Sequence, residues 1–435
     1  MRMRSVGSAA TADPSERARS SPDQEFALRP LRVLVSTSYY WPEGAGSAPY
    51  LTGLAEHLSA VGHDVVVATG FAHYPDWRSG AQGKLAATET HNGVQIVRRW
   101  HYVPHTQSAA QRALYELSLV GFGATTLFRR WRPDVVVGTC PSLAGGMLAA
   151  VAARRYGAPY GIVFQDLMGR AALQSGVSGG ARVAELVKRG ELRVARGAKA
   201  VGIIAKTFRS YLEDGGVSPE AIWHLRNWTH RVEPAESRER TRERYGWGDD
   251  VFVCLHGGNM GQKQGLDNLL ETAALLNGEV RIALVGDGND RDRLERQAGE
   301  RGLANVDFIG MQGPGRWEAM LAASDLLIVN QRASLTDMSL PSKLTSYFPA
   351  GRPVVTAAST ESETADEMVA AGAGIVVPPD DPAAMRDAIY ALKDDPARAG
   401  RCAESARAYA ESTLSSTAAL REYDRFIGFL AGEAG

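Results

Sequence analysis

Short runs of β-branched and aliphatic residues recur along this chain, helical stretches separate most of them, and the series plays twice. The first series is LRVLVST from Leu31, HDVVVAT, DVVVGT, YGIVFQ and AVGIIA. A charged stretch poor in strand formers, RVEPAESRERTRERYGWGDD (231–250), interrupts it and reads as a connection with a short helix. The second series is VFVCLH, VRIALVG, NVDFIG, DLLIVN, PVVTA and GIVVP. Runs that are apolar at every position, rather than at alternate ones, belong to strands covered on both faces. Spaced by helices, they predict parallel sheets. A chain of 435 residues is too long for one compact core and suits two. The expectation is an α/β fold of two parallel-sheet domains. Their ligands would lie beyond the carboxyl ends of the strands, in the cleft between the domains.

The boundaries follow from composition. Residues 1–28 are polar, rich in Ser, Ala, Arg and Pro, and contain no apolar core of a secretory signal, so they read as a disordered tail. Residues 29–232 form the first domain and 233–415 the second. Residues 416–435 read as a helix returning to the first. A net charge of −1 lacks the basic excess of a nucleic-acid binder. Cys140, Cys254 and Cys402 include no CxxC pair, which argues against zinc or a disulfide framework and for a reducing compartment. No run reaches the roughly 18 apolar residues of a membrane span.

Three strand ends carry glycine turns: EGAGSAP (43–49), HGGNMGQKQG (256–265) and GDGND (286–290). Each opens toward a helix start, where free N–H groups and the helix dipole favour an anion. A dinucleotide fingerprint fails, because Pro49 and Arg291 stand where third glycines belong and Asp64 precedes its strand. A phosphate loop of the nucleotide triphosphatases fails as well, because neither Lys263 nor Lys343 sits in G-x-x-x-x-G-K-[ST]. Lys263, beside the second turn, can neutralise a diphosphate or can be a solvated loop lysine. In PSKL (341–344), Lys343 falls in the first turn of a helix, where it opposes the dipole unless an anion is bound.

These pieces together resemble the glycosyltransferases of family 4. The resemblance rests on YYWPEGAGSAPYLTGLAEHLSAVGHDVVVAT, HYPDW, GGNMGQKQGLDNLLETA, LVGDGND, PSKLTSYFPAGRPVV and AGAGIVVPPDDPAAM. It covers residues 31 to 427, and the branch it is most similar to builds bacterial exopolysaccharide and O-antigen. It implies the GT-B fold, two Rossmann-like domains facing across a cleft, and sugar transfer from a nucleotide-diphosphate sugar with retention of configuration. It also implies a cytoplasmic enzyme, working at the inner face of the membrane. For the donor it implies Gly44, Gly46 and Ser47 in the first turn, Gly258, Asn259, Gly261 and Gln264 in the second, and Asp287 in the third. Asn259 and Gln264 stand where the family commonly has Arg and Lys, which leaves Lys263 as the cation. Pro341, Ser342 and Lys343 open the PSKL helix. Ser346 aligns with a ribose-holding Glu and Met338 with the first Glu of that motif. Gln165 aligns with a histidine that faces the donor sugar. Its neighbour Asp166 can accept a sugar hydroxyl or cap the next turn.

No pair of carboxylates suits glycoside hydrolysis. The resemblance implies instead that the leaving diphosphate acts as base, with Lys263 and Lys343 stabilising its charge. No Asp-x-Asp cluster suits a catalytic metal, so neither metal nor cofactor is expected. For the acceptor, His73, Tyr74 and Trp77 supply aromatic surface after the second strand, and His101 and His105 extend it. His63 reads as structural. The run ALYELSLVGFGATTLF (113–128), flanked by arginines, reads as an interfacial helix on anionic lipid or as a core helix with a solvated basic end. Its small central residues favour the core. The acceptor is thus a lipid-linked sugar, with peripheral membrane contact, or a small natural product. A non-catalytic nucleotide-sugar binder is the remaining alternative, given Asn259, Gln264 and Ser346.

Overall fold

A computed structural model describes residues 29–433 apart from 45, 75–76, 106–107, 129, 169–179, 230–231, 262–263 and 334–341. Lys263, Pro341 and Met338 lie outside the described residues. Two sheets organise the chain. The first holds β1 (Arg32–Ser36), β2 (Asp64–Gly70), β3 (Ala86–His91), β4 (Val94–Arg99), β5 (Val135–Cys140), β6 (Tyr160–Phe164), β7 (Ala200–Ile203) and β8 (Ile222–His224). Its order is β3-β4-β2-β1-β5-β6-β7-β8, parallel except for the β3–β4 hairpin. The second sheet holds β9 (Phe252–Asn259), β10 (Val280–Asp287), β11 (Val306–Ile309), β12 (Leu326–Asn330), β13 (Val354–Ala357) and β14 (Gly374–Val377), all parallel, ordered β11-β10-β9-β12-β13-β14.

The continuous apolar runs become central strands because helices cover both faces. In the first sheet Val33, Val35, Val135, Val137 and Val163 are buried on one side, and Val136, Ile162 and Phe164 on the other. The α-helix Ser416–Ala431 buries Tyr423, Phe426, Ile427 and Leu430 in that first core. The last segment of the chain therefore packs against its beginning.

The hairpin β3–β4 is an addition to the eleven apolar runs read from the sequence. Its first strand, AATETH, is mostly exposed and carries no buried run. The turn between the strands is Asn92-Gly93, both at positive φ, which is the pairing that closes two-residue hairpins.

The charged stretch 231–250 is more than a connection. The helix Arg238–Tyr245 docks on the base of the second domain. There Arg242, 5% exposed, pairs with Asp325 and donates to the carbonyls of Ala323, Gly248 and Val251. A buried guanidinium is tolerated when its donors are engaged in this way.

Candidate active site

A hollow of about 490 Å³ opens between the domains, within the range of small-molecule sites. Its walls come from the carboxyl ends of successive strands. Tyr39, Gly46, Ser47 and Tyr50 follow β1, Tyr74 follows β2, and Pro141 follows β5. Gln165 and Asp166 follow β6, Ile204 follows β7, and Asn227 follows β8. Thr345, from the second-domain helix Ser342–Ala350, closes the other side. The hollow lies where the strand order reverses between β1 and β5, the usual ligand position of such sheets.

In the second domain, β9 ends in the turn at Gly258–Gly261. Gly257 N–H donates to the buried Tyr347 hydroxyl at 2.9 Å. The far limb of the turn is held by Asn330, fully buried at the end of β12. Its amide nitrogen donates to the carbonyls of Gln264 at 2.8 Å and Gly265 at 3.0 Å, and its oxygen accepts from Asn268. Asn330 escaped the sequence reading; a lone Asn at the end of the apolar run DLLIVN was its only signal.

Lys343 lies in the first turn of its helix and reaches back to this turn. Its ammonium donates to Gln264 Oε1 at 2.8 Å. Burial pushes its pKa down to about 8. Beside it, the fully buried His256 donates from Nδ1 to Ile328 O, and burial and the Lys343 charge hold its pKa well below the usual range. His256 is therefore neutral. A cation at a helix N-terminus, against the dipole and half out of water, is a group an anion would stabilise.

That shift carries a pH dependence. Between about 8 and the ordinary lysine value near 10.5 the unfolded chain binds more protons, so unliganded stability rises with pH over that window. Diphosphate binding has the opposite sign, because the anion favours the charged ammonium. Nucleoside diphosphate affinity is expected to fall roughly fivefold from pH 8 to 9. Calorimetric titrations at the two pH values check this, and a flat profile would remove Lys343 from the anion site.

The other expected residues divide. Gly258 and Asn259 are exposed on the turn, and Asp287 accepts from Gly288 N–H within its own turn. The Ser346 hydroxyl donates to Lys343 O at 2.9 Å, so in this state it is turned onto its own helix rather than toward a ribose. One oxygen of Asp166 accepts from Leu167 N–H at 2.7 Å, and the residue lines the hollow.

The acceptor residues need correction. Tyr74 lines the hollow, but His73 does not. His73 is 4% exposed, its Nδ1 bonds to Phe71 O at 3.0 Å, and its Nε2 bonds to Tyr115 hydroxyl at 3.1 Å. Burial lowers its pKa, so it is a neutral support. Trp77 packs against His73 and Tyr115 under the Arg112 guanidinium, behind the wall. His101 is buried, its pKa pushed down to about 3 by burial, and His105 is exposed and is not one of the lining residues. His63 is structural: Nδ1 accepts from Leu31 N–H at 3.1 Å.

Glu43, unremarked in the sequence reading, organises this wall. Its buried carboxylate accepts from the N–H groups of His73 at 2.7 Å, Tyr74 at 2.9 Å and Tyr40 at 3.2 Å. It thereby ties the turn after β1 to the one after β2. Across the domains, Glu363 accepts from Lys206 N–H at 2.8 Å, and Glu367 pairs with Arg226.

Comparisons with known proteins agree with this arrangement. Residues 45–228 match the glycosyl transferase 4-like domain, and residues 237–409 match glycosyl transferases group 1. The chain is 30% identical over 413 residues to the putative colanic acid biosynthesis glycosyl transferase WcaI of Escherichia coli K12, spanning 90% of this chain and 98% of that protein. It is 28% identical over 271 residues to a GDP-mannose-dependent alpha-mannosyltransferase of Mycobacterium tuberculosis, covering 61% and 65% of the two. The fold matches that of Anabaena HepE, crystallised in complex with UDP, with a TM-score of 0.65 at 18% identity over 92% of this chain and 100% of that one. The chain belongs to the group 1 glycosyltransferases of the GT-B fold, with a glycosyltransferase 4-like N-terminal domain.

Proposed function

We propose that this enzyme moves a sugar from a nucleotide-diphosphate sugar to an acceptor hydroxyl with retention of anomeric configuration, in assembly of a cell-surface polysaccharide or glycolipid. One observation carries the reading. A turn fitted for a diphosphate, with Lys343 bonded into it, lies in the domain that faces an interdomain hollow whose described lining is neutral apart from one carboxylate, Asp166. As the bond to the sugar breaks, charge grows on the diphosphate; a preplaced ammonium and a helix N-terminus stabilise that charge more than they stabilise the bound donor. A double displacement would need a carboxylate nucleophile at the sugar, a place that Asp166 is the one carboxylate among the described lining residues to take. In the proposed reaction the leaving diphosphate instead takes the acceptor proton, on the same face of the ring. The likeness to WcaI, a protein named for colanic acid biosynthesis, supports the polysaccharide setting. The test is transfer from nucleotide sugars to a lipid-linked acceptor, with the anomeric proton coupling of the product read by NMR. An inverted product, or donor that stays intact with every acceptor, overturns the reading.

A lipid-linked acceptor is favoured by the helix Ala109–Gly123. Leu114, Leu117 and Phe122 are 50%, 66% and 39% exposed on it, although its small central residues suggested a core position. Tyr115 and Leu119 supply its buried face instead. Exposed Arg130 and Arg132 follow this helix in the chain. No described helix is long and apolar enough to cross a membrane, so the contact would be peripheral. Leu117→Asp is expected to lower binding to anionic vesicles several-fold in a flotation assay and to leave transfer to a water-soluble acceptor analogue unchanged. Equal flotation of the two proteins would favour a small soluble acceptor.

A further inference from the structure

We infer that Asn227 and Gln165 form a hydroxyl-reading pair on the wall of the hollow, and that this pair restricts the transferred sugar to neutral rings and turns away hexuronates. The inference rests on the glycosyl-transfer reading and adds to it the class of sugar.

The two amides bond to each other once, Asn227 Nδ2 donating to Gln165 Oε1 at 2.8 Å. Gln165 Nε2 and Asn227 Oδ1, both shielded from bulk solvent, have no hydrogen-bond partner among the described residues. Gln165 is 8% exposed, and both residues line the hollow. Exchanging oxygen and nitrogen in both amides reverses the roles but not the outcome. In either arrangement one carboxamide nitrogen and one carboxamide oxygen remain unmet. Buried polar groups are nearly always paired, so this donor and acceptor call for a ligand group. A sugar hydroxyl is donor and acceptor at once and completes both. A carboxylate only accepts, and an ammonium only donates.

The surrounding charge points the same way. Of the described residues lining the hollow, Asp166 alone carries a formal charge. A hexuronate would bring a second carboxylate beside it with no cation on the lining to compensate. Lys343 is not on that lining; it is committed to the turn after β9.

The segment that carries Asn227 is also tied at two points to the second domain. It is the segment that leaves the first sheet. On one side Arg226 pairs with Glu367, and on the other the Thr229 amide and hydroxyl both donate to Leu414 O. The reader is thus fixed by the same contacts that set the domains against each other.

Calorimetric titration of the full chain with UDP, GDP and dTDP, and with the hexose and hexuronate conjugates of each, tests the inference. The nucleotide that binds is expected to bind as its hexose conjugate roughly tenfold more tightly than as its hexuronate conjugate. Gln165→Leu and Asn227→Asp, each checked for native circular dichroism, are expected to lower affinity for the hexose conjugate roughly tenfold while leaving the bare diphosphate unchanged. A hexuronate bound as well as the hexose overturns the inference and leaves the transfer reading intact. So does a loss shared equally by the bare diphosphate. Absence of binding by every nucleotide overturns both.

Discussion

Lys343→Ala is expected to cut glycosyl transfer by about 10²–10³-fold, the usual cost of removing one preplaced group that stabilises developing negative charge. It is expected to leave the melting temperature unchanged or slightly raised. The two effects have one cause. Burial has already pushed this lysine down to about 8, so in the empty enzyme the charged form is held at a cost to folding. In the proposed reaction the leaving diphosphate would supply the countercharge that makes the position favourable. Removing the ammonium relieves the resting state and exposes the transition state. Gln264, its partner at 2.8 Å, stays on the turn and loses only a neutral-to-cation hydrogen bond. Lys343→Arg is not a safe control, since the planar guanidinium is bulkier and far harder to deprotonate. Lys263→Ala is the better companion. The same fall in turnover is expected for it, with folding retained. Steady-state kinetics and thermal melts on both variants decide between the two lysines. Wild-type turnover in purified Lys343→Ala, with a collapse in Lys263→Ala, would move the role to Lys263. The reverse result would leave Lys343 alone in it.

How much of this was legible in the chain depends on the range over which each residue acts. The central strands were readable because both faces are buried, so every position in a run such as VVVAT or LLIVN is apolar. The β3–β4 hairpin was not read, because its first strand faces water and its signal is the Asn92-Gly93 turn rather than a buried run. The glycine turns were visible because backbone at positive φ, as at Gly46, Gly258 and Gly286, leaves a local mark in sequence. Lys343 was visible because a lysine in a first helical turn is a local conflict. Glu43, Asn330 and Asn227 carry no such mark. Each matters through a partner at long sequence separation: Tyr74, Gln264 and Gln165 respectively. His73 shows the converse error. A histidine in an aromatic stretch after a strand suggests a sugar platform, yet the fold buries both of its nitrogens against Phe71 and Tyr115. The connection 231–250 was read as a link with a short helix, and the helix Arg238–Tyr245 is there. Its docking was not legible, because Arg242 acts through Asp325, about 80 residues later.

The second large effect is expected from Gly286→Ala, through the fold rather than the chemistry. Gly286 pairs with Gly258 where β10 and β9 end, at the start of the Gly258–Gly261 turn. Its φ is +140°, which L-residues with a Cβ rarely adopt. A Cβ built there would lie 2.0 Å from Gly258 O and 2.9 Å from its carbonyl carbon. Backbone cannot swing aside as the end of a flexible side chain can, so the strand ends must part. The expected cost is about 3 kcal/mol, within the range for strain at a special backbone conformation. For a domain of this size that is a fall on the order of 10 °C in melting temperature. Parting the strands also displaces the N–H groups of Gly258 and Asn259, so nucleotide affinity should fall along with stability. Gly299→Ala is the control. Gly299 lies in the exposed last turn of the helix Arg291–Glu300 with nothing within 4 Å of its would-be Cβ. There alanine should stabilise by about 0.5–1 kcal/mol, by helix propensity and a less disordered unfolded chain. Thermal melts of the two variants, with and without nucleotide, read both terms. If Gly286→Ala melts with the wild type and still binds nucleotide, the strand ends are not the rigid seat of the diphosphate turn. The preplaced charge stabilisation assigned to that turn would then need another source of rigidity.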